Sequence, residues 1–186
     1  MHRRTTLHAD HVLDTDEIPR VMIYDYHQDD PKKCTATRLE KLHLAQPLYN
    51  LKQIPRSAIV LNPVSNTTLS FEDRSLIQEY GLVGLDCSWN NAETIFLENI
   101  RGENRRLPTL LAGNPTNYSI RGRLSTVEAL AATLIITGFS KRAKQLLEVF
   151  NWGETFLTLN REPLRVYSRT PPDRMIERER DYFPTE

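Results

Sequence analysis

The stretch AIVLNPVSNTTLSFEDRSLIQEYGLVGLDC, from Ala58 to Cys87, decides the fold class. It opens with AIVLNP (Ala58 to Pro63), a nearly continuous apolar run of the kind that forms a strand covered on both faces. Ser70 stands where a helix N-cap belongs, and Glu72 and Asp73 fall in the first turn. Leu76, Ile77 and Tyr80 follow before Gly81 stops the helix. LVGLDC (Leu82 to Cys87) is a second buried-type strand. Strand, helix and strand in that order predict an α/β sheet with parallel strands.

Working outward toward the N-terminus, RVMIYDY (Arg20 to Tyr26) is rich in β-branched, aromatic and long apolar residues. The turn-forming HQDDP comes next, so a first strand is expected there. Residues 1–17 are polar and without period, which predicts a flexible extension. Toward the C-terminus, a polar, basic link (Arg101 to Arg106) leads into LPTLLAGNPTNY, which Gly113 and Pro115 interrupt. Ser125 and Glu128 have capping-box spacing. They open ALAATLIITG, a helix apolar nearly all round and therefore buried. Lys141 to Phe150 and Glu154 to Asn160 are amphipathic helical stretches. The organisation expected is an extension (1–17), an N-terminal α/β half (18–106), a mostly helical C-terminal half (107–169) and an exposed charged tail (170–186).

The chain has 186 residues, 39% of them hydrophobic, enough to bury a sizeable core. Its 24 Lys plus Arg balance its 24 Asp plus Glu, so net charge does not announce a nucleic-acid partner. Cys34 and Cys87 form no CxxC pair, which fits free thiols in a reducing compartment. No apolar run has the length of a membrane span and the first residues lack a signal-peptide apolar block. A cytoplasmic protein without membrane contact is expected.

No GxGxxG, P-loop, HExxH or GxSxG string occurs, which removes the usual sequence support for several enzyme classes. No acid or cysteine completes a ligand set around His2, His8, His11, His27 or His43, so no metal is expected. Polar groups do gather where predicted strands end: DDPKKCT, LNPVS and DCSWNNAE. In open α/β sheets, ligands bind beyond the carboxyl ends of the strands. Asp86 there could attract a sulfonium or accept from a ribose hydroxyl, and the Trp89 indole could pack on a cationic methyl group. The plainer alternative is an Asp helix cap followed by a core tryptophan. Lys32, Lys33, Arg38 and Lys41 form one basic cluster; Arg101, Arg105, Arg106, Arg121 and Arg123 form another. Either is a solvated face or a phosphate-backbone contact.

These residues carry a resemblance. The chain resembles the small-subunit ribosomal RNA aminocarboxypropyltransferases of archaea and eukaryotes over roughly Val21 to Tyr167. The shared strings are DPKKCT (Asp30 to Thr35), LNP (Leu61 to Pro63), DCSW (Asp86 to Trp89), LPTLLAGNPTNY (Leu107 to Tyr118), LSTVEALAA (Leu124 to Ala132) and FNWGETFLTLN (Phe150 to Asn160). Eukaryotic members often carry AAN and NYG where this chain has AGN (112–114) and NYS (117–119).

The resemblance implies a SPOUT-like α/β fold: a parallel sheet of about five strands, a helical C-terminal half and a deep trefoil knot. It implies S-adenosylmethionine as donor. Its contacts would be Thr35, Leu61, Asp86, Trp89 and Ala92, with Leu110, Leu111, Tyr118, Ser125 and Ala129 completing the pocket and Val83 lining the strand. It further implies a small-subunit ribosomal RNA acceptor, a modified uridine attacked at N3, with Lys32, Lys33, Arg38, Arg121 and Arg123 as the candidate RNA contacts. A monomer is expected. Trp89 and Ala92 would wall off the methyl group, and Asp86 would steer the sulfonium or help remove the N3 proton. Methyl transfer from the same donor, and a non-catalytic ribosome-assembly role, stay open at the level of sequence.

Overall fold

The computed structural model describes residues 18–28, 34–89, 92–97 and 99–184. Five strands form one sheet: β1 (Val21–Asp25), β2 (Gln46–Leu48), β3 (Ile59–Leu61), β4 (Leu82–Asp86) and β5 (Glu103–Arg105). Their order is β2-β1-β4-β3-β5, and every pairing is parallel. The apolar runs of the sequence become the central strands because both faces are covered: β3 and β4 are buried along their whole length. Asp25 pairs in register with Asp86, so the carboxyl ends of β1 and β4 lie side by side.

Helices α1 (Thr35–Lys41), α2 (Arg74–Tyr80), α3 (Ala92–Phe96), α4 (Thr126–Ile136), α5 (Ser140–Leu147), α6 (Gly153–Leu159), α7 (Arg161–Tyr167) and α8 (Met175–Tyr182) complete the chain. The capping box expected at Ser125 and Glu128 starts α4, which is buried along nearly its whole length. It packs against the sheet because β4 carries Gly84. A Cβ there would lie 3.0 Å from the Thr126 methyl and 3.3 Å from Leu130. Gly81 stops α2 at φ +95°, a backbone conformation that side chains resist.

One core lies between the sheet and α4, α5, α6 and α7; it includes Ile23, Leu82, Leu130 and Phe156. A second, on the other face, includes Met22, Val60, Val83 and Leu85.

Two sequence expectations need correction. The basic link 101–106 contains β5, whose Leu61–Arg105 register extends the sheet beyond β3. Residues 170–186, expected to be an exposed tail, carry α8, whose Met175 is fully buried in the main core. The extension 1–17 lies outside the described residues. Among the described residues no helix is long and apolar enough to cross a membrane.

Candidate functional site

The segments that follow β1, β3 and β4 converge on one cleft of about 1470 Å³ at the carboxyl ends of the strands. Cys34 and Thr35 arrive from the start of α1, Leu61 and Asn62 from β3, and Asp86 to Trp89 from β4. The side chain of Asn62 sets the turn after β3. It donates to Phe96 O at 3.2 Å and Asn104 Oδ1 at 3.0 Å, and it accepts from Val64 N–H at 3.1 Å. The fourth wall is the segment 105–126, which runs from β5 to the first turn of α4.

Asp86 is buried, and both carboxylate oxygens accept hydrogen bonds. The Thr126 hydroxyl donates to one, and the Cys34 thiol donates to the other at 3.0 Å. Cys34 also caps α1, accepting from Thr37 N–H at 3.3 Å. Burial, the largest influence, and the neighbouring Asp86 push the Cys34 thiol up to about 12, so it keeps its proton at neutral pH. Glu40, on α1, is raised by its burial and then by the carboxylate of Asp25. Asp25, Glu40 and Asp86 therefore concentrate negative charge at this end of the sheet.

Asp25, Cys34 and Asp86 also bring one potential metal-ligand atom each within 4.8 Å of one another. Spacing along the chain gave no sign of this set. The sulfur and both Asp86 oxygens are already hydrogen-bonded, to each other and to Thr37 N–H and the Thr126 hydroxyl.

Three polar side chains hold the wall 105–126. Glu128 accepts from Gly113 N–H at 2.7 Å and Asn114 N–H at 2.9 Å on one side, and from Ser125 N–H at 2.7 Å on the other. Asn160 bonds both the N–H and the carbonyl of Leu111, each at 2.8 Å. Glu179, on α8, accepts from Thr109 N–H at 2.8 Å, from the Thr109 hydroxyl, and from Arg106 at 3.1 Å. Loop backbone needs such partners because buried N–H and carbonyl groups without them are costly.

Of the residues singled out by sequence, Thr35, Leu61, Asp86, Trp89, Leu110, Ser125, Ala129, Arg38 and Arg123 line the cleft. Trp89 is half-buried; its indole N–H donates to Leu124 O at 3.3 Å, and the Arg123 guanidinium lies 5.5 Å from its ring. Val83 does not reach the cleft. It is fully buried in the second core, one residue short of Gly84, Leu85 and Asp86, the end of β4 that lines the cleft. Leu111 is held through its backbone and is not among the lining residues, and Tyr118 is 57% exposed outside the cleft. Arg121 lies outside it too, donating to Pro184 O at 3.4 Å and lying over the Phe183 ring. Lys32, Lys33 and the side chain of Ala92 lie outside the described residues.

The second basic cluster is partly committed to ion pairs: Arg105 with Asp73 at 3.0 Å and Arg106 with Glu179 at 3.1 Å. Sequence reasoning missed Cys34, Thr126, Asn160 and Glu179, and took Glu128 only for a helix cap. The Ser125–Glu128 spacing was the one signal among these.

Residues 59–183 match the family described as "Ribosome biogenesis protein, C-terminal". Residues 19–48 match a second, "Possible Fer4-like domain in RNase L inhibitor, RLI". Iron–sulfur clusters are held by several cysteines, and this stretch contains Cys34 alone, so its residues do not fit such a cluster. A protein of Saccharolobus islandicus named 16S rRNA aminocarboxypropyltransferase is 47% identical over 80% of this chain and 86% of its own length. One of the same name from Methanobrevibacter smithii is 41% identical over 88% of this chain and 96% of its own. The solved structure titled "SAM-dependent rRNA:acp-transferase Tsr3" from Vulcanisaeta distributa is 40% identical. It superposes with a TM-score of 0.81 over 86% of this chain and 88% of that one. The chain belongs to the 16S rRNA aminocarboxypropyltransferase family.

Proposed function

We propose that this protein transfers the 3-amino-3-carboxypropyl group of S-adenosylmethionine to N3 of a modified uridine in small-subunit ribosomal RNA, during ribosome biogenesis. N3 loses its proton to water and attacks the γ-carbon of the methionine chain. The bond from that carbon to sulfur breaks, and 5′-methylthioadenosine leaves. All three carbons on the sulfonium are electrophilic, so the outcome depends on which one faces the acceptor.

The observation that carries this reading is the placement of Asp86: a buried carboxylate at the end of a central strand, facing a cleft large enough for donor and acceptor. Thr126 and Cys34 already donate to its two oxygens, which favours a fixed negative charge near the cationic sulfonium over a proton acceptor. Asp25 and Glu40 add to that field. Thr35, Leu61, Leu110, Ser125 and Ala129 are our choices for the nucleoside contacts, with Leu111 and Tyr118 acting through the loop that carries them. Trp89 and Ala92 would wall off the methyl group. Arg38 and Arg123, at the cleft, and Lys32, Lys33 and Arg121 would meet the RNA backbone.

The family resemblance also carries a finer fold expectation, a SPOUT-type trefoil knot in the C-terminal half. What supports it is the tethering of the loop that follows β5 to α4, to the α6–α7 junction and to α8 through Glu128, Asn160 and Glu179. We read the protein as a cytoplasmic monomer, and thiols without a disulfide at Cys34 and Cys87 suit that compartment. Chromatography of the spent donor tests the chemistry: 5′-methylthioadenosine is expected after incubation with small-subunit RNA. S-adenosylhomocysteine would mean methyl transfer.

A further inference from the structure

We infer that Phe150 and Trp152, together with Arg38, form the platform on which the acceptor base stacks, so that the cleft receives a pyrimidine flipped out of an RNA loop. This inference rests on the proposed function and locates its second substrate.

Small-molecule sites occupy about 300–1,000 Å³, and this cleft measures about 1470 Å³. It therefore has room beyond the donor. Part of its lining comes from Arg38 and Lys41 of α1, from Leu42 just after it, and from Phe150 and Trp152 between α5 and α6. Arg38 stands four residues along α1 from Cys34, about 6 Å of helix rise, and Cys34 touches Asp86. The platform is thus within one nucleotide's reach of the proposed reaction centre.

Its chemistry suits a base and its phosphate. The Phe150 and Trp152 rings lie 5.1 Å apart and tilted by 35°, both half-buried against the main core, which fixes them while leaving part of each side chain exposed. The Arg38 guanidinium lies 5.4 Å from the Phe150 centroid. Among the described residues no carboxylate pairs with Arg38 or Lys41, so their charge is available to a phosphate. The two tryptophans of the cleft differ in the same sense. Trp89 has its N–H bonded to Leu124 and a guanidinium over its ring, whereas the Trp152 N–H has no partner among the described residues. Aromatic rings beside cations are how proteins hold unstacked RNA bases, and a base must leave its stack for chemistry at N3.

The test uses the full-length protein, a hairpin RNA carrying the small-subunit acceptor loop, and S-adenosylmethionine. Trp152→Ala should weaken hairpin binding about tenfold, as loss of one base–aromatic stack does, with donor affinity nearly unchanged. Trp152→Phe should restore most of it. Should Trp152→Ala fail to fold, the Trp89→Phe variant leaves Trp152 as the sole indole. The hairpin, and not the donor, should then quench its fluorescence. A folded Trp152→Ala variant with wild-type hairpin affinity, or an equal loss of donor affinity, would overturn the platform. A wild-type protein that forms no RNA product would overturn the proposed function itself, which separates the two failures.

Discussion

The hydroxyl of Thr126, at the first residue of α4, donates to the carboxylate of Asp86, at the last residue of β4. Forty residues separate them, and Gly84 lets them meet by allowing α4 against the strand. Thr126→Val keeps the branched shape and removes the donor. Hydrogen bonds to charged groups contribute about 1.5–3 kcal/mol, so a stability loss of that order is expected, with weaker donor binding as Asp86 turns from its position. Thr126→Ser should restore both. Calorimetric titration and denaturant unfolding on one preparation check this, and wild-type values for Thr126→Val would refute it.

Cys34 keeps its proton in the folded protein up to about pH 12, against an ordinary thiol value of 9.0. Its folded value is raised, so the stability it contributes is full below about 9 and is lost as pH climbs toward 12. Wild-type stability should therefore fall more steeply across that window than that of Cys34→Ser, whose hydroxyl does not titrate there. At neutral pH, alkylation of the native protein should modify half-buried Cys87 before Cys34. Equal rates would show that the Cys34 thiol is not held as described.

Ser119 has φ +62°, a left-handed backbone conformation that favours glycine. Ser119→Gly should stabilise by about 0.5–1 kcal/mol, since a left-handed conformation costs a non-glycine residue about 1–2 kcal/mol and glycine's extra entropy offsets part of the relief. Gly113→Ala should do the opposite. Its Cβ would lie 2.6 Å from the Phe156 backbone, which cannot rotate aside, and such overpacking costs about 1–3 kcal/mol. Thermal unfolding of the two variants decides, and a shared sign would contradict the geometry.

Glu179 joins α8 to the cleft wall through Arg106 and Thr109. Glu179→Ala should raise the KM for donor severalfold and lower stability by about 2 kcal/mol, since the pair is mostly but not fully buried. Deleting residues 170–186 should reproduce the KM effect. A truncated protein with unchanged donor KM would show that α8 does not position the wall.

The parts of the fold legible in the sequence were those whose burial writes a pattern locally. β1, β3 and β4 are short apolar runs because both faces are covered, and α4 is apolar all round because the core encloses it. β2 (QPL) and β5 (ENR) are three-residue edge strands with one side open, so no apolar run marks them. α8 looked like a charged tail because its exposed face carries pairs such as Arg174–Glu177 and Arg178–Asp181, while Met175 and Glu179 do the anchoring.

The same limit governed the site. The strand-end rule points to the cleft, but in a strand buried on both faces the sequence does not say how far down the strand the cleft reaches: Gly84, Leu85 and Asp86 line it and Val83 does not. Cys34 and Thr126 meet Asp86 only through the fold, across 52 and 40 residues.

The central claim is that the aminocarboxypropyl group, and not the methyl, reaches the RNA. Two preparations of S-adenosylmethionine, one labelled in the methyl group and one in the carboxyl carbon, are incubated with the protein and small-subunit RNA. The RNA is then digested to nucleosides for mass spectrometry. A uridine-derived nucleoside heavier by one aminocarboxypropyl group, keeping the carboxyl label and lacking the methyl label, is the predicted result. A nucleoside carrying the methyl label, or no adduct from folded protein with donor bound, would contradict it.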